Sequence, residues 1–127
     1  MANNFLPAKL NLPIWRGATF RYGFQWINDN GKEKKPQNLT GFTGEAILQT
    51  DTGEEVILST SNGGVIFGGL QQMEPPNGFV ELYMKASFTK EIEWKKASYA
   101  LIATEPSAPK DEFPLLTGQF HVSGPPL

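Results

Sequence analysis

The sequence contains no cysteine. Disulfide staples, thiolate metal sites and a cysteine nucleophile are therefore excluded, and the chain must fold on its apolar core alone, which is compatible with a reducing cytosol. It has one histidine, His121. A metal centre would need further ligands, and a triad would need a placed nucleophile and acid. Charge of one sign is also scarce, with 11 Lys and Arg against 13 Asp and Glu and a net charge of -2. No basic stripe runs along the chain to neutralise a phosphate backbone, so nucleic-acid binding is not expected. The densest basic run, Lys32, Lys34 and Lys35 broken by Glu33, reads as a solvated hairpin loop. No apolar run approaches the ~20 residues of a membrane span. The opening Met1-Ala2-Asn3-Asn4 has no charged stretch followed by an apolar one, so no signal peptide is expected.

Acidic residues give no clear chemistry either. Glu54 and Glu55 flank a turn, and Glu91 and Glu93 lie on a predicted helical crossing; both pairs read as solvated charge rather than as the two acids of a glycosidase. Asp29, Asp51 and Asp111 sit in separate loops, without the spacing of a calcium loop. Gly63-Gly64 and Gly68-Gly69 bracket a strand, with no helix pattern following to form a phosphate site. Asn38-Leu39-Thr40 matches the N-glycosylation sequon, read here as accidental in the absence of a signal peptide. No catalytic residue, metal or cofactor is expected, and the chain reads as a non-enzyme.

What the sequence does have is aromatics and turn residues: nine Phe, three Tyr and three Trp, with 13 Gly and 10 Pro. Aromatic and β-branched residues suit a pleated sheet, and Gly and Pro mark frequent turns. The 127 residues fit a single domain, with residues 1–8 as an N-terminal arm and 123–127 as a Pro-rich tail. Leu10, Leu12 and Ile14 alternate with Asn11 and Pro13, which predicts a short or edge strand. Phe20, Tyr22, Phe24 and Trp26 alternate with Arg21, Gly23 and Gln25 over Thr19 to Ile27. Such spacing puts the aromatics on one face of a strand, inward with Ala46, Leu48, Leu82 and Leu101. Further strands are predicted at Glu45 to Thr50, Glu55 to Ser59, Val65 to Phe67, Phe79 to Met84, Ser98 to Thr104 and Phe113 to Val122, the last with a bulge at Gly118. Ala86 to Lys96 reads as a short helical crossing. About seven to nine short strands with regular turn signals predict an all-β, antiparallel, immunoglobulin-like β-sandwich, and Tyr99 stands where such folds carry a tyrosine corner.

Two stretches carry a resemblance. Leu12-Pro13-Ile14-Trp15-Arg16-Gly17-Ala18-Thr19-Phe20 and Asn38-Leu39-Thr40-Gly41-Phe42-Thr43-Gly44-Glu45-Ala46, separated by an aromatic strand and a loop, are similar to a recurring pattern of small structural proteins of tailed bacteriophages and prophages. The N-terminal immunoglobulin-like domain of baseplate upper proteins carries a similar pattern. Lys90 to Tyr99 resembles that family's helical turn leading into a strand that begins with Tyr, and Gly118 to Ser123 resembles its closing strand. Ala18 stands where the family commonly has an acid, and Asn38 where it commonly has Asp. Gly17 and Gly41 read physically as positions of unusual backbone or bending.

The resemblance implies a non-enzymatic component of a tailed-phage virion, in the tail, baseplate or fibre-attachment apparatus. It would be made in the host cytoplasm and work through contacts with other virion proteins and copies of itself. The alternatives are a capsid decoration or head-fibre anchor protein, or a carbohydrate-binding module using Trp15, Trp94 or, less suitably, the core-facing Trp26. Apolar groups in the arm and tail, and the Pro-rich loops Gln71 to Asn77 and Glu105 to Glu112, make Phe5, Leu6, Gln72, Pro75, Pro76, Pro106, Pro109 and Leu127 the expected assembly contacts.

Overall fold

A computed structural model of the chain describes residues 7–29, 34–69, 77–108 and 110–125. Its strands are β1 (Ala8–Lys9), β2 (Leu12–Trp15), β3 (Phe20–Gln25), β4 (Ile27–Asp29), β5 (Lys34–Pro36), β6 (Thr43–Thr50), β7 (Glu55–Ser59), β8 (Val65–Phe67), β9 (Phe79–Met84), β10 (Lys96–Thr104) and β11 (Glu112–Ser123), with one helical turn, α1 (Ala86–Thr89). The period-2 pattern is obeyed along β2, β6, β7 and β10, where buried and exposed side chains alternate.

The larger sheet runs β1-β11-β10-β6-β7, with β2 also paired to β11, and a second sheet runs β3-β9-β8. The order β3-β9-β8 matches strands B-E-D of an immunoglobulin sandwich, and β11-β10-β6-β7 matches G-F-C-C′. All pairings within these sheets are antiparallel except those of β1 and β2, which lie parallel to β11. The expected all-β sandwich is thus the observed one. Strands β4 and β5 form a separate antiparallel hairpin, and Lys34 and Lys35 of the basic run lie on β5, while Lys32 and Glu33 fall outside the described residues.

The buried side chains form one cluster between the sheets. Ala46, Leu48, Leu101 and Phe120 come from the larger sheet and Phe20, Val80 and Leu82 from the smaller, with Leu39, Ile92 and Trp94 supplied by connections. Phe20 meets Phe120 edge-on across the sandwich with ring centroids 5.4 Å apart. The aromatic face of β3 points inward as expected, but burial fades along it: Phe20 is buried, while Tyr22, Phe24 and Trp26 are half-buried against the core.

Four local expectations change. The strand predicted over Thr19 to Ile27 is interrupted at Trp26, whose N–H donates to Gly78 O at 2.6 Å and whose carbonyl accepts from Gln37 N at 2.9 Å. The helical crossing over Ala86 to Lys96 shrinks to α1, because Ile92 and Trp94, two residues apart, are both buried, which an extended chain achieves and a helix does not. The bulge in β11 falls at Leu115, where the register shifts between Leu101–Leu116 and Ile102–Pro114, rather than at Gly118. Pro114 lacks the N–H that a regular ladder would use, which explains its place there. Gly118 serves a close approach instead: a Cβ there would collide with the carbonyl of Leu10.

Tyr99 makes no tyrosine corner. It is the fourth residue of β10, faces Gly118 across the ladder, and its hydroxyl donates to Leu10 O at 2.7 Å. Leu10 N donates in turn to Thr117 O at 2.8 Å, and Asn11 Oδ1 accepts from Gln119 N at 3.0 Å. These bonds hold the kink between β1 and β2 against β11. Burial, with a smaller contribution from Tyr22, raises the Tyr99 phenol from 10.0 to about 12.

Two predictions follow from this packing. Phe120→Ala, at a fully buried ring, should cost ~3–5 kcal/mol in urea unfolding, and Phe24→Ala, at a half-buried one, about 1–2 kcal/mol; equal losses would contradict the graded burial of the two rings. The phenolate of Tyr99 is disfavoured in the folded state, so its pKa there lies above the unfolded value. The stability this difference supplies relative to the ionised form is whole below pH 10 and lost as pH rises toward about 12. Tyr99→Phe should flatten that alkaline loss, while lowering neutral-pH stability by about 1–2 kcal/mol because Leu10 O is left unpaired. An unchanged alkaline profile in the variant would overturn the assignment.

Candidate functional site

One end of the sandwich gathers the connections β3–β6, β8–β9 and β10–β11, which in an immunoglobulin variable domain include binding loops. Their frame is fixed by hydrogen bonds between the connections. Gln25 Nε2 donates to Asn77 O at 2.9 Å, and Asn38 forms a β-bridge with Asn77. Glu105 N donates to Asp111 O at 3.0 Å and Lys110 N to Ser107 O at 2.8 Å, closing the β10–β11 turn with Lys110 in the left-handed region at φ 60. Beneath this frame lies an aromatic floor. Trp26 meets Phe42 at 6.1 Å and 89°, and Phe113 at 5.5 Å.

The Asn38–Phe42 stretch builds this end. Asn38 Oδ1 accepts from Thr40 N at 3.0 Å, an Asx turn. Leu39 is buried, and Phe42 N donates to Leu39 O at 3.0 Å. Gly41 adopts φ +81 beneath Pro106, so close that a Cβ on it would stand 3.0 Å from the proline Cβ. An aspartate at 38 would accept the same bond, so the turn does not depend on which of the two residues stands there.

The Trp15–Phe20 stretch builds the opposite end. Arg16 Nε donates to Ile92 O at 3.0 Å and Nη1 to Pro125 O at 2.8 Å. Gly17, at φ +93, donates its N–H to Thr89 Oγ1 at 3.1 Å, and that hydroxyl donates to Ala18 O at 2.7 Å. Thr89 is wholly buried and ties α1 to the β2–β3 turn. Its role was not legible beforehand, since an isolated threonine in a polar segment carries no periodic signal.

Of the expected assembly contacts, Pro106 is described, and it is exposed at the loop end. Phe5, Leu6, Gln72, Pro75, Pro76, Pro109 and Leu127 lie outside the described residues. The flanks of their segments are placed: Gly69, Asn77, Ala108 and Lys110 belong to the loop end, and Pro7 leads into β1 along the half of β11 nearest it. Pro125, which leads to Leu127, is bound at the opposite end by Arg16. The described start of the tail therefore lies at the end opposite the loop flanks.

Trp15 is 60% exposed at the end of β2, but Trp94 is only 1% exposed and is no sugar platform, because the alternating Ile92 and Trp94 turn into the core. Trp26 is part of the aromatic floor. His121 is exposed on β11, and among the described residues no group of three His, Asp or Glu side chains gathers to hold a metal. A shallow groove of about 380 Å³ lies between β7 and the β9–α1 corner, lined by Ile57, Leu58, Met84 and Phe88 with Asn62, Tyr83 and Lys85. A second hollow of about 390 Å³ on the outer face of the larger sheet brings Glu45 and Glu112 among Thr43, Ser59, Thr60 and Thr104. That the two acids border one hollow was invisible in sequence, since it depends on the strand register.

The loop-end turn is open to mutation. Asn38→Asp should leave stability within about 0.5 kcal/mol, Asn38→Ala should lose about 1 kcal/mol, and Gly41→Ala about 1–3 kcal/mol through its positive φ and the proline above it. Thermal melts of the three variants check this, and a Gly41→Ala protein as stable as the parent would remove Gly41 from the clamp.

No protein-family model matches the chain, and no curated protein matches it. Among solved structures it is similar to AggA, the major subunit of aggregative adherence fimbriae type I from Escherichia coli, at 12% identity over 93% of this chain and 91% of that one, with a TM-score of 0.34. A likeness so distant carries no functional argument.

Proposed function

We propose that this chain is a non-enzymatic structural component of a tailed-phage particle, in the tail, baseplate or fibre-attachment apparatus, acting through protein–protein contacts at its loop end. The observation that carries the reading is how the two family-like stretches use their polar groups. Arg16 and Asn38 spend their hydrogen bonds on the chain's own backbone, at opposite ends of the sandwich. A scaffold domain is built this way, with its motif residues holding shape and its connections left for partners. The described flanks of the arm and of the two Pro-rich loops, Pro7, Gly69, Asn77, Ala108 and Lys110, lie toward one end, which suits contact of that end with a larger assembly. In this reading the protein resides in the virion, with other virion proteins as its partners.

Mass spectrometry of purified particles tests the proposal. The chain should be present in many copies per particle. A chain lacking residues 1–7 should fold with a nearly unchanged melting temperature but be missing from particles. Absence of the parent chain from particles would overturn the virion reading, and normal incorporation of the truncated chain would remove the arm from the contact. Quenching of the exposed Trp15 on titration with a glycan would instead favour the carbohydrate-binding alternative.

A further inference from the structure

The two sheets end in four edges, and three of them carry a device that discourages further pairing. The β1–β2 edge is broken by its kink and contains Pro13, which has no N–H to offer. The β8 edge is three residues long. The β7 edge is capped by Asn62, whose Nδ2 donates to Ile57 O at 2.9 Å while its Oδ1 accepts from Ser59 N at 2.8 Å. That carboxamide occupies the place a neighbouring strand would take.

The β3 edge has none of these. Trp26 N bonds to Gly78 O, so by the alternation of an antiparallel ladder Phe20, Tyr22 and Phe24 direct their N–H and C=O groups to β9. Arg21, Gly23 and Gln25 direct theirs outward, where among the described residues they meet no backbone partner. Phe20–Gln25 contains no Pro, Lys, Asp or Glu. Its one charge is drawn back over its own sheet: Arg21 Nη2 lies 3.1 Å from Glu81 Oε2, and Nε donates to the same oxygen at 3.2 Å.

We propose that β3 pairs antiparallel with β3 of a second copy about a twofold axis at Gly23. The outward groups are self-complementary in that register. Gly23 faces Gly23 of the second copy, and Arg21 faces Gln25 of the second copy, so no like charges meet. The axis falls on the residue without a side chain. On the inner face Tyr22 faces Phe24 of the second copy, and both rings, only half-buried in one chain, gain cover. Two three-stranded sheets become one of six. The proposal rests on the edge alone and is independent of the virion reading.

Sedimentation equilibrium of the full chain tests it. The expected result is a monomer–dimer equilibrium in which amide exchange at Arg21, Gly23 and Gln25 slows as concentration rises. Gln25→Lys keeps a donor for Asn77 O but sets a cation opposite Arg21 at both ends, and should raise the dimer dissociation constant about tenfold. Gln25→Glu should lower it several-fold, with the difference fading in high salt. A chain that stays monomeric at every concentration, or a dimer whose dissociation constant neither substitution shifts, would overturn the proposal.

Discussion

The carbonyl of Leu10 is the point on which the architecture turns. It accepts the Tyr99 hydroxyl and lies against a glycine, so the first strands of the chain are held parallel to the last. Had residues 8–15 run along β3 instead, the smaller sheet would have had four strands and a covered edge. Fixing them on β11 leaves that sheet with three and its β3 edge open. The burial of Tyr99 goes with the same junction, since its hydroxyl reaches past Gly118 of the neighbouring strand to its acceptor.

Strands with strict alternation and a single polarity per face were legible in the sequence. β6 and β9 lie within a residue or two of their expected limits, because each has apolar residues at every second position and turn residues on both sides. The aromatic face of β3 was legible in direction but not in depth, since burial near a sheet edge depends on what lies beside it. Trp94 was misread because its neighbours suggested a helix. Its true partner in the pattern, Ile92, is two residues away and becomes informative only once the segment is known to be extended. Gly118 looked like a bulge from composition alone, when its real constraint comes from a strand more than a hundred positions earlier in the chain.

The site was less legible than the fold. Most of the residues expected to make assembly contacts fall in segments outside the described part of the chain, and the polar groups that organise each end act through backbone atoms far away in sequence. Thr89 bonds to residues 71 and 72 positions away, and Arg16 to a carbonyl 109 positions away. No local pattern encodes such bonds. Gly17 and Gly41 were visible as positions of unusual backbone, and both adopt positive φ; Arg16 and Asn38, which hold backbone carbonyls and an N–H group, stood in the same motifs without a role legible from them.

The parallel docking of β1 and β2 on β11 also bears on how the chain comes into being. Asn11 and Gln119, which bond across that seam, stand 108 positions apart. While the polypeptide is being synthesised, β1 and β2 have no partner until β11 has emerged, and the closing of so long a loop is slow compared with local pairing. The β6–β7 hairpin and the β8–β9 pair form from neighbouring segments and are free to assemble early. The sandwich is sealed last, by the docking of β1 and β2 on β11, so a nascent chain carries exposed apolar faces until β11 is available.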